Sequence, residues 1–405
     1  MTEPALSVQT IALVKATVPA LVEYGSSITT AMYTRLFQDD HIRKLFNHAN
    51  QGKEGAQTHA LAAAILAYAQ NIDNLGALAP VVERIAYKHV GYHILPEHYP
   101  YVATALLGAI KDVLGDAATD EILDAWGEAY WFLANIFIAR EKVMRTEIEQ
   151  ADGGWNGWRA LVVTDKIRES EVITSFVLKP ADGKPVLRHR PGQYLTLRLW
   201  PDGQPEMKRN YSISCAPNGR FYRISVKRED NGQGGSRFLH DQVDIGDVLE
   251  TTPPAGDFFL ADAPQRPVIL LSGGVGLTPM VSMAETIAVK HPALEAHYIH
   301  GALNSATHAM GHHVRALAKS NTQLRVVTFY SDPAPHDQIG QSHDHEGFIS
   351  VDWLRNHTAL FDSDIYLCGP KPFLRHFIGS LSQTGVAASR IHYEFFGPAD
   401  ELLAA

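Results

Sequence analysis

The hydrophobic period of this chain changes at one short segment, Asp152-Gly153-Gly154-Trp155-Asn156-Gly157-Trp158. Before it, apolar residues recur with helical spacing; after it, they alternate. One core does not serve both patterns, and 405 residues exceed what a single core usually organises. Upstream, His59 to Tyr68 is rich in Ala and Leu and free of Gly and Pro, which suits a helix. Ile122, Trp126, Ala129, Leu133 and Ile136 are spaced four, three, four and three apart, with Phe137 adjoining, and form one helical stripe. Asp120 and Glu121 stand at its start, where negative charge suits the helix dipole. Pro80 and Pro96 fit the first turns of two further helices.

Downstream, Tyr194–Leu199 and Phe221–Val226 alternate and are β-rich. Turn signals at Asp182-Gly183, Pro191-Gly192, Asp202-Gly203 and Asn218-Gly219 separate such segments, as in an antiparallel barrel. From about Arg266 short apolar runs (Val268–Leu271, Ala296–Ile299, Leu324–Phe329, Ile365–Leu367) alternate with helical runs around Met280–Lys290 and His312–Lys319. That pattern argues for a parallel sheet. The expected architecture is multidomain: all-α over 1–150, an antiparallel β-barrel over 151–264, and an α/β parallel-sheet domain over 265–405.

Composition removes several classes of function. The net charge is −9 and no Lys/Arg cluster occurs, which argues against nucleic-acid binding. The two cysteines, Cys215 and Cys368, supply neither a disulfide framework nor a Cys-pair metal site. No basic start leads into an apolar run, and no stretch of 18 apolar residues occurs. A cytoplasmic protein without a transmembrane segment is the expectation. Twenty histidines support no metal by number alone.

Val268-Ile-Leu-Leu-Ser-Gly-Gly-Val-Gly-Leu-Thr-Pro-Met280 reads as strand, Gly-rich turn and helix start, a place where a pyrophosphate can approach the backbone. It is not the common dinucleotide fingerprint. Pro279 occupies the last Gly position, and the acidic residue expected some 20 positions later is missing. Read alone, the turn is equally an ordinary βα connection. Further motifs follow its lead. Arg190-Pro-Gly-Gln-Tyr194 and Arg209-Asn-Tyr-Ser212 precede the turn; Tyr366-Leu-Cys-Gly-Pro370 and Glu394-Phe-Phe-Gly-Pro398 follow it.

Together these motifs resemble the ferredoxin-reductase-like family, in this order, over about 210 residues. The resemblance implies an FAD- and nicotinamide-binding module. Tyr194 is expected near the flavin. In Arg209, Asn210, Tyr211 and Ser212, the Arg is expected on the FAD pyrophosphate and the Tyr on the flavin. Gly274, Val275, Gly276, Leu277, Thr278 and Pro279 are expected at the nicotinamide cofactor, and Phe395, Phe396, Gly397 and Pro398 against the isoalloxazine ring. Phe395 departs from the Cys that many relatives carry. Gly301 to His313 contains no Arg or Lys for a 2′-phosphate, which favours NADH, with NADPH as the alternative.

Residues 1–150 resemble the globin of bacterial flavohemoglobins, which sits on this same reductase. In Ile85-Ala-Tyr-Lys-His89 the resemblance implies that His89 ligates a heme b iron; helical pattern alone does not reveal a heme. It places Tyr33, Gln57 and Leu61 on the distal side, where a phenol can hydrogen-bond dioxygen, and Phe46 against the heme. Tyr99 and Glu141 fall on the proximal side. Glu141 follows Phe137 by four, so it prolongs the core-facing stripe and needs a partner there; His89 and Tyr99 are the obvious ones. Lys88 and Glu394 match residues that tune the two redox centres. The implied activity is nitric oxide dioxygenase: nitric oxide and dioxygen give nitrate, with electrons passed from the nicotinamide through FAD to heme. A general reductase of dioxygen, iron or quinones, or a gas-storing or gas-sensing globin, are the alternatives. A monomer is expected, and a lipid in the distal pocket is left open.

Overall fold

The computed structural model describes residues 6–45, 56–232 and 234–397. The chain divides into two compact units, one running to Ile148 and the other spanning Glu149–Gly397.

The first unit is helical: α1 (Val8–Ala16), α2 (Val18–Leu36), the single turn α3 (Asp40–Arg43), α4 (Ala56–Gln70), α5 (Ala79–Gly91), α6 (Tyr99–Leu114) and α7 (Asp120–Gln150). Ser7 caps α1 by accepting from the Thr10 amide, and Asp39 caps α3. Pro80 opens α5, where its missing N–H costs nothing. Pro96 behaves differently from the expected α-helix start. It begins a 3₁₀ turn, Pro96–His98, and α6 follows from Tyr99 with Pro100 in its first turn.

Ile28, Met32 and Leu36 of α2 meet Leu106 and Ile110 of α6 and Trp126 and Ala129 of α7 in one core. Gly25 of α2 faces Ala62 of α4. The polar tips of buried aromatics are satisfied: Trp126 donates to Thr17 and Tyr68 donates to the Ala129 carbonyl. A second cluster, Ala86, Val90, Tyr99, Ala134, Phe137 and Met144, packs α5 against the later half of α7. Arg140 grips Glu83 with two hydrogen bonds of 2.8 and 2.6 Å, which ties the same two helices at their surface. Among the described residues no single helix is long and apolar enough to cross a membrane.

The second unit opens with six antiparallel strands and one helix: β1 (Arg159–Arg168), β2 (Ile173–Pro180), β3 (Tyr194–Leu199), β4 (Met207–Ser212), β5 (Tyr222–Lys227), α8 (Gly235–Gln242) and β6 (Val248–Thr251). Their order is β4-β3-β6-β1-β2-β5. An Ile213–Ile224 bridge joins the two ends and closes the barrel. Leu161, Phe176, Leu195, Leu197, Tyr222 and Leu249 fill it.

Six parallel strands follow with four helices: β7 (Val268–Gly273), α9 (Leu277–Lys290), β8 (Ala296–Ala302), α10 (Gly311–Ser320), β9 (Leu324–Tyr330), β10 (His345–Glu346), α11 (Val351–His357), β11 (Asp364–Cys368), α12 (Lys371–Gln383) and β12 (Ile391–Glu394). The order is β10-β9-β8-β7-β11-β12, all parallel. Val268 and Leu270 face the α9 and α10 side, while Ile269 and Leu271 face α11 and α12. The sheet is therefore covered on both faces. The chain leaves β7 toward β8 on one side and returns to β11 on the other. The carboxyl ends of β7 and β11 thus form a topological switch point, where open parallel sheets bind ligands.

The Gly-rich turn after β7 packs tightly there. A Cβ on Gly276 would lie 2.2 Å from the Cys368 carbonyl oxygen and 2.7 Å from the Gly369 nitrogen, both rigid backbone. Gly276→Ala is expected to destabilise the second unit by about 1–3 kcal/mol through overpacking. A lowered urea midpoint for that unit checks this; an unchanged midpoint contradicts it.

Candidate functional site

The helical unit brings three of the expected residues into one hydrogen-bonded group around a buried carboxylate. His89 comes from the last turn of α5, Tyr99 from the first residue of α6 and Glu141 from the later half of α7. His89 Nδ1 lies 2.7 Å from Glu141 Oε1 and 3.0 Å from the Tyr99 hydroxyl. The Tyr99 hydroxyl donates to the same Oε1 at 2.6 Å. Glu141 is 0% exposed, so its charge has been taken out of water and depends on these partners. Tyr130 of α7 donates to the Tyr99 carbonyl at 2.7 Å and holds the start of α6 in place.

This geometry fixes the histidine tautomer. A carboxylate only accepts, and the one hydroxyl hydrogen of Tyr99 is committed to Glu141. Both contacts at Nδ1 therefore require the ring hydrogen there. In the neutral ring this puts the lone pair on Nε2, on a side chain that is 30% exposed. Phe137 packs against the ring at 5.7 Å between centroids. Burial, and then the Glu141 charge, push the Tyr99 phenol well above its usual range, so it remains a donor. Among the described residues no group of three or more His, Cys, Asp or Glu forms a metal site. One imidazole suffices as protein donor when the metal brings its other ligands with it, as a porphyrin does. The residues fit a heme held through His89 Nε2.

Tyr33 on α2 and Leu61 on α4 both pack at the edge of the main helical core. Tyr33 stacks on Phe37 at 5.3 Å, and burial pushes its phenol up to about 12. Gln57 lies in the first turn of α4 with its side chain outside the described part; Phe46 and Pro398 lie outside the described residues. Lys88 is exposed beside His89.

In the barrel, Arg209 and Tyr211 alternate with Asn210 and Ser212 along β4 and so share a face. Asn210 is exposed and Ser212 buried. The segment that meets this face carries no motif named from the sequence. A Cβ on Gly235, the first residue of α8, would sit 3.0 Å from Arg209 Cγ and 3.4 Å from the Tyr211 hydroxyl. A guanidinium beside a glycine-opened helix N-terminus is a fitting cradle for a pyrophosphate. Glycines 232, 234 and 235 ahead of a helical run were the available signal. Tyr194 is 9% exposed, its ring seated against Gly256, where a Cβ would come within 2.8 Å.

At the switch point, Gly274 adopts φ +55 and is exposed, with Val275 half-buried beside it. Leu277, Thr278 and Pro279 are buried in the start of α9, and Leu277 belongs to the core. Glu394 ends β12 opposite Cys368. Phe395 packs at the edge of the sheet core, and Phe396 is 49% exposed. Gly397 follows, closely against the Phe395 ring.

Comparison with known proteins follows the same division. Residues 30–136 match the family model Globin, 160–260 the oxidoreductase FAD-binding domain and 270–377 the oxidoreductase NAD-binding domain. The chain is 58% identical over 399 residues to a flavohemoprotein of Xylella fastidiosa, covering 98% of this chain and 99% of that one. It is 46% identical over 403 residues to a flavohemoprotein of Bacillus thuringiensis, covering 98% and 100%. The structure of a Malassezia yamatoensis flavohemoglobin with bound FAD and heme superposes with a TM-score of 0.85 at 25% identity, over 97% of this chain and 100% of that one. With a globin-type helical unit, an antiparallel FAD-type barrel and a parallel NAD-type sheet in one sequence, and relatives this similar along its whole length, the chain belongs to the flavohemoprotein family.

Proposed function

We propose that this chain is a nitric oxide dioxygenase: it turns nitric oxide and dioxygen into nitrate at a heme held by His89, with electrons drawn from NADH through FAD. The observation that carries the reading is the His89–Glu141–Tyr99 group in a chain that also holds an oxidoreductase module. A Vibrio cholerae nitric oxide dioxygenase, known as its FAD/NAD-binding part, is 38% identical and matches 59% of this chain, with a TM-score of 0.54. Bound FAD splits a hydride pair into single electrons, and bound heme accepts them one at a time and binds diatomic gases. Working domains of 1–150, 151–264 and 265–405 follow from this reading.

The chain's own residues have separable tasks. Glu141 and Tyr99 orient His89 and strengthen its donation through Nε2, which favours activation of dioxygen. Tyr33 offers a hydroxyl to dioxygen on the distal side, to which the family resemblance also assigns Gln57, Leu61 and Phe46. Its raised pKa keeps that hydrogen in place well beyond the pH at which an ordinary tyrosine ionises. Arg209 and the start of α8 bind pyrophosphate. Tyr194, Tyr211 and the Phe395–Pro398 segment flank the flavin, and Lys88 and Glu394 adjust the two redox centres. Storage of a gas does not call for a reductase in the same chain.

Mixing nitric oxide with the reduced, oxygenated protein in a stopped-flow instrument is expected to give one nitrate per heme oxidised; nitrate at background level ends the reading. Tyr33→Phe should speed dioxygen release by about 10- to 100-fold, the worth of one hydrogen bond to a charged acceptor. For wild type the same release rate should stay flat from neutral pH through pH 10, since Tyr33 loses its hydrogen only near 12. A rise centred at pH 10 contradicts that. Glu141→Gln, which keeps the shape and removes the charge, should cut turnover about 10- to 100-fold with heme still bound.

A further inference from the structure

Behind the proximal group lies a residue that the family resemblance did not point to. Arg145 follows Glu141 by one helical turn and is 12% exposed. Its Nη2 lies 3.3 Å from Glu141 Oε2, the oxygen that faces away from His89. The same nitrogen donates to the Ile94 carbonyl. Ile94 sits in the bend after α5, where His93 takes φ +56, and its amide donates to the His89 carbonyl at 2.8 Å. The hydrogen bonds therefore close a ring through the His89 imidazole, Glu141, Arg145, the carbonyl and amide of Ile94, and the His89 carbonyl. Arg145 Nε is buried without a hydrogen-bond partner. Among the described residues Glu141 is the only carboxylate ion-paired with this guanidinium. The carboxylate that Arg145 meets is thus the acceptor of the proximal histidine.

We propose that Arg145 is a positioning residue that sets the donor strength of His89: it draws charge toward Glu141 Oε2 and fixes the carboxylate, which limits how far Oε1 pulls the hydrogen from His89 Nδ1. Two oxygens of one carboxylate share one charge, so a cation on Oε2 weakens acceptance at Oε1. A less anionic imidazole donates less to iron and leaves the iron easier to reduce. The device keeps the proximal donation that favours dioxygen activation from making electron delivery by the flavin unfavourable. This rests on the reading of His89 as the heme ligand.

The test uses the full-length, heme-loaded protein and two readouts other than turnover: the iron–histidine stretching band of the ferrous, gas-free form and the midpoint potential of the heme. Arg145→Met should move the band to higher frequency and the potential to a more negative value. Arg145→Gln, which keeps a donor for Ile94 but no charge, should do the same and serves if the Met variant fails to fold. Arg145→Lys should restore most of both values. In a Glu141→Gln background Arg145→Met should change neither. An unshifted band in the Met or Gln variant, a shift to lower frequency, or an equal shift without Glu141 overturns the proposal. Failure of the underlying ligand assignment looks different, because wild-type protein would then show no iron–histidine band at all.

Discussion

The hydrogen bond from His89 Nδ1 to Glu141 Oε1 organises the helical unit's chemistry. A carboxylate with no exposure is tolerable only among donors, and His89, Tyr99 and Arg145 are those donors. Each comes from a different stretch of chain or a different turn of α7, so the polar group forms only when α5, α6 and α7 are packed as observed. The apolar cluster of Ala86, Val90, Phe137 and Met144 supplies that packing, and the Arg140–Glu83 pair adds a surface clasp that is worth little by itself. Packing thus places the carboxylate, the carboxylate selects the tautomer, and the tautomer leaves Nε2 as a metal donor.

The reductase unit relies on close backbone approach rather than on charge. Gly276 lets the turn after β7 rest on Cys368 and Gly369, and Gly235 lets α8 begin against Arg209 and Tyr211. Both glycines stand at the start of a helix, and the nearest atoms they spare belong to the protein. The alternation of β7, with neighbouring residues feeding separate cores on the two faces of the sheet, holds that turn at the switch point.

Much of this was legible in the chain. The switch from helical to alternating period at Asp152–Trp158 separated the architectures, and Tyr194–Leu199 is a strand with the expected ends. Burial of Glu141 followed from its place four residues after Phe137. The role of His89 was legible only through family resemblance, because a lone histidine carries no ligand spacing. Arg145 had a signal in its i,i+4 relation to Glu141, but the same spacing describes many solvent-facing pairs. Its meaning came from the Ile94 carbonyl, a contact across 51 positions that no local pattern encodes. The meeting of Gly235 with Arg209 and Tyr211 is likewise a contact between distant positions, made only when the barrel brings β4 against the start of α8.

The claim on which the account depends is that the imidazole at position 89 holds the iron of a porphyrin. The most direct measurement is the Soret absorption of purified His89→Ala protein beside wild type, with and without added imidazole. The account predicts a strong Soret band in wild type, its loss or displacement in the variant, and its return when imidazole fills the vacated position. A variant band identical to wild type in position and intensity contradicts it.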